Sequence, residues 1–90
     1  MRRSVSFHPA ARQDAERSAR AAVRFLDDLD RIIDLVAESP NHFQVFDADL
    51  RRAVFRRFPF YLVFRADDQN VVVLAVAHGK RRPQFWQNRT

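Results

Sequence analysis

The fold is decided by the stretch Leu50-Arg51-Arg52-Ala53-Val54-Phe55-Arg56-Arg57-Phe58-Pro59-Phe60-Tyr61. It predicts an arginine-rich strand, at about residues 51–57, that leads through Phe58-Pro59 into a strongly apolar strand over residues 60–66. Such a pair places several cations beside a rigid sheet. We therefore expect this part of the chain to face an anionic or acidic partner.

The chain continues from these two strands into a third. A turn at Asp67-Asp68-Gln69-Asn70 returns it into residues 71–78, which completes an antiparallel meander. Gly79, the only glycine, ends the last strand. Residues 79–90 then form a basic tail that carries Phe85 and Trp86.

The turn predicts which side chains share a face of the sheet. If Asp67 pairs with Asn70, one face combines large aromatic residues with small ones and suits the close approach of a helix. That first face holds Phe60, Leu62, Phe64, Val73, Ala75 and Ala77. The second face holds Tyr61, Val63, Arg65, Val72, Leu74 and Val76. We expect the second face to lack helical cover, so that it is hidden by the tail, a second protomer or a separate protein.

The N-terminal part of the sequence predicts one strand and one long helix. Val5 and Phe7 alternate with Ser4 and Ser6, and Pro9 ends this short strand. No Gly or Pro lies between Pro9 and Pro40. Apolar residues recur there at helical spacing, which predicts one helix of about 30 residues and about 45 Å. The stripe consists of Ala11, Ala15, Ala19, Ala22, Leu26, Leu29, Ile33 and Val36.

A helix of this length exceeds the span of a compact domain of this size, whose radius of gyration should be about 12 Å. Two outcomes are open. The helix breaks near Ser18, or it stays straight and carries the first strand to a neighbouring protomer, which gives a domain-swapped dimer. We favour the long helix.

Composition limits the class of protein. Ninety residues suffice for one domain, 1–90, and the +5 net charge rests on sixteen cations of which only Lys80 is a lysine. Arginine binds phosphate or carboxylate through bidentate hydrogen bonds, so the positive charge fits nucleic acid or an acidic protein surface as a partner. The alternative is a basic surface with no binding role. The chain has no cysteine, no apolar run that could span a bilayer and no signal-peptide core, and a cytoplasmic location is expected.

The order and spacing of several short motifs are similar to those of a known family. They are Phe7-His8-Pro9-Ala10-Ala11, Arg24-Phe25-Leu26, Ala37-Glu38-Ser39-Pro40, Arg51-Arg52, Arg57-Phe58-Pro59-Phe60, residues 61–65 and 72–78, Arg81-Arg82-Pro83 and Trp86-Gln87-Asn88-Arg89. With these motifs the chain resembles the RelE/ParE family of bacterial type II toxins, most closely its ParE-like, plasmid-stabilisation branch. One departure is that Glu16 to Val23 runs on without the Pro or Gly turn that folds two helices into a hairpin in that family.

The resemblance implies an α+β fold of the order β-α-α-β-β-β, with an antiparallel sheet covered by helices on one face. It also implies a growth-arresting activity and a dedicated antitoxin protein that wraps the toxin. In the family the activity is inhibition of DNA gyrase or cleavage of mRNA on the ribosome. We prefer a gyrase inhibitor. A metal-independent mRNA endonuclease and an inactive binding remnant are the alternatives, and a homodimer stays open.

Candidate site residues follow for each activity. A nuclease would use His78 as its base, with Tyr61, Arg57 and Arg81 beside it. The residues expected to bind the target are Arg51, Arg52, Arg56, Arg57, Lys80, Arg81, Arg82, Trp86 and Arg89. The residues expected to bind the antitoxin are Tyr61, Val63, Arg65, Val72, Leu74, Val76 and Phe85. We expect no cofactor and no metal site, since His8, His42 and His78 are scattered.

Overall fold

The chain forms a five-stranded sheet with two helices and a C-terminal turn. A computed structural model describes residues 2–56, 59–79 and 85–89. In chain order the elements are β1 (Ser4–Phe7), α1 (Pro9–Ala21), α2 (Phe25–Glu38), a 3₁₀ turn (Pro40–His42), β2 (Val45–Asp47), β3 (Leu50–Val54), β4 (Phe60–Ala66), β5 (Asn70–His78) and a second 3₁₀ turn (Gln87–Arg89).

The strand order is β1-β5-β4-β3-β2. The meander β3-β4-β5 is antiparallel, whereas β1 pairs with β5 in parallel, and the sheet is therefore mixed. The expected α+β architecture is confirmed, with the two helices that the family resemblance implies. A short strand, β2, joins β3 at one edge and was not expected.

The single long helix is wrong. The helical region breaks at Ala22-Val23-Arg24, where Arg24 adopts a left-handed conformation with φ of 67°. The two helices then fit a body with extents of 33 × 26 × 22 Å, which a 45 Å helix would exceed. Because β1 pairs with β5 of its own chain, the premise of the domain-swapped dimer is also removed.

The break changes which residues of α2 are buried. The uninterrupted stripe placed Leu26 in the core, but Leu26 is 56% exposed, and Phe25 and Ile32 are buried. Ile33, also a member of the stripe, is half-buried and packs against the core. Phe25 stacks on Phe55 with ring centroids 5.4 Å apart. Phe25 and Ile32 thus pack against one face of the sheet, which we call the helix-side face and which holds Leu62, Phe64, Val71, Val73 and Val76.

The register of β4 and β5 is as expected near the turn and shifts further along. Arg65 pairs with Val72, but a bulge between Val63 and Phe64 moves the next pairs by one residue. Val63 therefore pairs with Ala75, and Leu62 pairs with Val76. The assignment of Val76 to the second face and of Ala75 and Ala77 to the first is wrong for this reason, since Ala77 pairs with Tyr61.

The second face is covered by the C-terminal tail. We call it the tail-side face, and it holds Phe46, Leu50, Tyr61, Val63, Val72, Leu74 and Ala75, together with Phe85 and Trp86. Trp86 is only 4% exposed and packs over this cluster. The sequence left open whether the tail, a second protomer or a separate protein covers this face. In the structure the chain's own tail packs on it.

Candidate functional site

Four aromatic side chains meet on the tail-side face. Trp86 forms the centre, with its ring centroid 5.7 Å from that of Phe46, 6.4 Å from that of Tyr61 and 5.3 Å from that of Phe85. All three contacts are edge-on, an arrangement that aromatic rings favour. This aromatic cluster fixes the side chains of β2, β4 and the tail relative to one another.

Arg52 lies on the solvent side of this cluster. It pairs with Val63 in β3, which directs its side chain to the tail-side face, and its guanidinium lies 5.5 Å from the ring centre of Phe46 and 5.7 Å from that of Tyr61. Val54, two residues on, is 52% exposed on the same face. We call Phe46, Arg52, Val54 and Tyr61 the Arg52 surface. Its exposed guanidinium can bind an anionic group while the rings and Val54 offer apolar contact.

The other arginines expected to bind a target do not gather around Arg52 where the structure describes them. Arg51 faces the helix side, opposite Phe64, and donates to the carbonyl oxygen of Phe43 at 2.6 Å. Arg56 is exposed just beyond β3. Arg57, Lys80, Arg81 and Arg82 lie outside the described residues. The Arg52 surface is thus the one place in the described chain where an exposed cation expected to bind the target lies over half-buried aromatic rings and beside an exposed apolar side chain.

Arg89 makes contacts within the protein. Its guanidinium donates to Asp14 Oδ2 at 2.5 Å and to the carbonyl oxygen of Leu74 at 3.1 Å, and its side chain is 13% exposed. Trp86 is also buried. Both residues, which we expected to contact the target, hold the tail onto the sheet.

Of the four residues of the nuclease hypothesis, the structure describes His78 and Tyr61, and these two lie on opposite faces of the sheet. His78 pairs with Phe60 and contacts its ring at a centroid distance of 5.3 Å, on the helix side of the sheet. Tyr61 pairs with Ala77 and lies on the tail-side face. The expectation that Tyr61 and His78 are diagonal neighbours on one face is therefore wrong, because the bulge changes the register. Arg57 and Arg81 lie outside the described residues.

The residues expected to bind the antitoxin divide by burial. Val63, Leu74 and Val76 are at most 1% exposed and face the interior. Tyr61, Arg65, Val72 and Phe85 are half-buried on the tail-side face or its margin. A partner that approaches this face meets the tail first, so Val63 and Leu74 contact it only if the tail moves. Val76 lies on the other face, under the helices.

Sequence reasoning missed Asp14 and Phe46. Asp14 lies three residues after Ala11 and next to Ala15, on the apolar side of α1, and an acid at such a position signals a buried partner. Phe46 belongs to a strand of three residues, too short for a recognisable alternation.

The described residues hold neither a metal-binding cluster nor a membrane-spanning helix. Over residues 2–56, 59–79 and 85–89, no group of three or more His, Asp or Glu side chains is placed to hold a metal ion. In the same part of the chain neither helix has the length and apolar character required to cross a bilayer.

Comparison with known proteins identifies the family. Residues 5–83 match the family model described as the ParE toxin of the type II toxin-antitoxin system parDE. No curated protein matches the chain significantly.

Two solved structures share the fold. The first is the toxin-antitoxin complex RelBE2 from Mycobacterium tuberculosis, with a TM-score of 0.71 and 23% identity over 87% of this chain and 99% of that one. The second is a double arginine-to-alanine mutant of E. coli toxin RelE in the free state, with a TM-score of 0.75 and 17% identity over 99% and 94%. With the family match over most of its length, the chain belongs to the ParE toxins of type II toxin-antitoxin systems, within the RelE/ParE family.

Proposed function

We propose that this toxin arrests growth by binding a nucleic-acid machine, DNA gyrase, through the Arg52 surface, and that a cognate antitoxin neutralises it. The observation that carries the proposal is the exposed Arg52 guanidinium against the rings of Phe46 and Tyr61. Arginine and aromatic residues dominate the binding energy of protein interfaces. An inhibitor that acts by binding needs such an anchor and no proton-transfer groups.

The rigidity of the surface supports this role. Trp86 packs behind Phe46 and Tyr61, and the paired strands β3 and β4 fix Arg52 and Val54. Little conformational entropy is then lost when a partner docks, since the anchor is already in place. Exposed Val54 extends the surface with apolar area.

A cognate antitoxin follows from the family and from one structural relative. The RelBE2 structure is a complex of a toxin with its antitoxin. We infer the same kind of partnership for this chain, with the antitoxin as a separate protein that binds the toxin and blocks its action.

An mRNA endonuclease is the competing activity. The position of Tyr61 beside Arg52 favours it, because an arginine can hold a phosphate while an aromatic ring stacks on a base. Against it, the candidate base His78 projects from the opposite face to Tyr61. The base and the phosphate-binding group must both lie within hydrogen-bond reach of one substrate. His78 does not meet this condition, because it lies on the opposite face of the sheet from Tyr61 and Arg52.

A supercoiling assay with purified components tests the proposal. Added toxin should leave relaxed plasmid DNA in the presence of gyrase and ATP, and Arg52→Ala should weaken this inhibition. Full supercoiling at every toxin concentration, together with transcripts cut at ribosome-occupied codons, would establish the nuclease instead. No growth effect on induction would indicate an inactive remnant.

A further inference from the structure

We propose that Trp86 and Arg89 are positioning residues for the Arg52 surface. Arg89 anchors the tail, the anchored tail holds Trp86 in place, and Trp86 in turn fixes one of the two rings under the guanidinium. The inference rests on the proposed function in one respect, which is that the Arg52 surface binds the target. It assigns to two residues of the tail an effect on target binding without contact to the target.

The Arg52 guanidinium is placed by aromatic rings. It lies 5.5 Å from the ring centre of Phe46 and 5.7 Å from that of Tyr61. Within the described part of the chain no carboxylate forms an ion pair with it. A long side chain without an ion pair keeps much rotamer freedom unless its packing restricts it. The order of Arg52 therefore depends on how firmly Phe46 and Tyr61 are held.

The sheet fixes these two rings unequally. Tyr61 belongs to β4, which is paired on both sides, by β3 and by β5. Phe46 belongs to β2, an end strand of three residues whose pairing with β3 shifts register between Val45 and Asp47. Phe46 thus needs a support that the sheet does not supply. The Trp86 ring packs edge-on against it at a centroid distance of 5.7 Å.

The unpartnered N–H group of Trp86 is consistent with this role. The side chain is 4% exposed, and its Nε1 has no hydrogen-bond partner among the described residues. A buried donor without a partner is costly, and a phenylalanine at this position would avoid the cost. The indole is wider than a phenyl ring, and it contacts the rings of Phe46, Tyr61 and Phe85 at once. Its width keeps it against Phe46 while it also covers Tyr61.

Arg89 fixes the position of Trp86. Its backbone N–H donates to the Trp86 carbonyl oxygen at 2.9 Å, which closes the tail turn. Its guanidinium donates to Asp14 of α1 and to the carbonyl oxygen of Leu74 in β5, and it lies 4.8 Å from the ring centre of Phe85. A planar guanidinium that serves both acceptors has one orientation. The turn is thus held to β5 and α1, and Trp86 enters the aromatic cluster from a fixed point.

Trp86→Phe separates positioning from stability in the supercoiling assay. The smaller ring leaves Phe46 without its full support, so binding must order Arg52. The toxin concentration for half-maximal inhibition should rise roughly twofold to tenfold, as expected for the ordering of one long side chain. Val36→Ala is the control, because it truncates a buried side chain under the other face of the sheet and lowers stability. It should leave inhibition unchanged at a temperature where both variants are folded. Unchanged inhibition by Trp86→Phe, or an equal loss in Val36→Ala, overturns the proposal.

The order of the Arg52 side chain can be measured without any target. NMR relaxation of its Nε–H group gives an order parameter, which should fall in Trp86→Phe and stay at the wild-type value in Val36→Ala. Arg89→Lys keeps the charge beside Asp14 and loses the planar fork, so it should show a smaller fall. An unchanged order parameter in Trp86→Phe or in Arg89→Lys contradicts the positioning role of that residue.

A double-mutant cycle identifies the ring through which Trp86 acts. Once Phe46→Ala has removed that ring, Trp86→Phe should weaken inhibition little further, because the two residues act as one unit. Additive losses from the two substitutions would show that Trp86 does not act through Phe46.

The relaxation measurement and the supercoiling assay have independent readouts. If the wild type does not inhibit gyrase and Arg52 loses order in Trp86→Phe, the proposed function fails and the positioning role stands. If the wild type inhibits gyrase and Arg52 keeps its order in Trp86→Phe, the positioning role fails and the proposed function stands.

Discussion

Asp14 and Arg89 form a buried ion pair that hydrogen-bonds the edge of β5 where that strand extends beyond its pairing with β1. Asp14 Oδ2 accepts from the Val76 N–H at 3.2 Å and from Arg89, while Arg89 donates to the Leu74 carbonyl. These two side chains, 75 residues apart in sequence, satisfy backbone groups that would otherwise need a neighbouring strand. The pair thereby ties the tail to α1.

Loss of Asp14 should destabilise the fold strongly. Asp14→Ala leaves a mostly buried guanidinium without its counter-ion, and we expect the free energy of unfolding in urea to fall by about 3–5 kcal/mol. The exposed pair Arg2–Asp34 is the matched control, and Asp34→Ala should cost less than about 1 kcal/mol. Equal effects of the two substitutions would contradict the structural role of Asp14.

Trp86 should determine whether the tail-side face is covered. Trp86→Ala removes a large buried ring over Leu50, Val63 and Leu74, and we expect a loss of about 3–5 kcal/mol in unfolding free energy, with increased binding of a hydrophobic dye. Trp86→Phe should retain most of the stability, because the indole Nε1 has no hydrogen-bond partner among the described residues. Val54→Ala, at an exposed site of the same face, is the control and should change stability little.

The sequence predicts the meander well because its signals are local. Asp67 accepts hydrogen bonds from the N–H groups of Gln69 and Asn70, as the turn residues indicate, and the register next to the turn follows. The bulge between Val63 and Phe64 has no such local signal. It changes the face of Ala75 and Val76, and with them the candidate site, since Tyr61 and His78 no longer share a side.

The helix break could not be predicted from breaker residues, because none is present. A left-handed arginine costs about 1–2 kcal/mol. Burial of one large aromatic side chain contributes about 1.5–3 kcal/mol, and the break allows Phe25 to pack against Phe55 and Phe60. Tertiary packing therefore outweighs the local preference for one continuous helix.

Arg24→Gly should stabilise the protein, because it removes the cost of a left-handed arginine. Glycine adopts the left-handed conformation without a steric penalty, and we expect a gain of about 0.5–1 kcal/mol in unfolding free energy. Arg20→Gly, in the last turn of α1, should have the opposite sign because it weakens a helix. A straight helix through residue 24 in solution would reverse the result and make Arg24→Gly destabilising.

Arg52 should contribute to target binding without contributing to the fold. Arg52→Ala removes an exposed guanidinium and should raise the toxin concentration for half-maximal gyrase inhibition by about tenfold or more, with unchanged thermal stability. Arg52→Lys should recover only part of the affinity, since lysine lacks the planar fork. Arg17→Ala removes an exposed cation from the helix layer and serves as the control. An equal loss in both alanine variants would indicate a general charge effect.

The Asp67 turn should make the free energy of unfolding depend on pH in the acidic range. The N–H groups of Gln69 and Asn70 lower the pKa of Asp67, and Arg3 adds to this effect. A carboxyl whose pKa is lower in the folded state contributes stability that is complete above its unfolded pKa, about 3.9, and is lost as the pH falls through the folded value.

Asp67→Asn isolates this contribution, because the amide oxygen can accept the same hydrogen bonds and does not titrate. We expect the wild type to exceed Asp67→Asn in unfolding free energy by a constant amount above about pH 5, and the difference to shrink below about pH 4. Urea unfolding of both proteins across this pH range measures it. A difference that does not change with pH would mean that the charge of Asp67 does not stabilise the turn, and that geometry alone holds β4 and β5 in register.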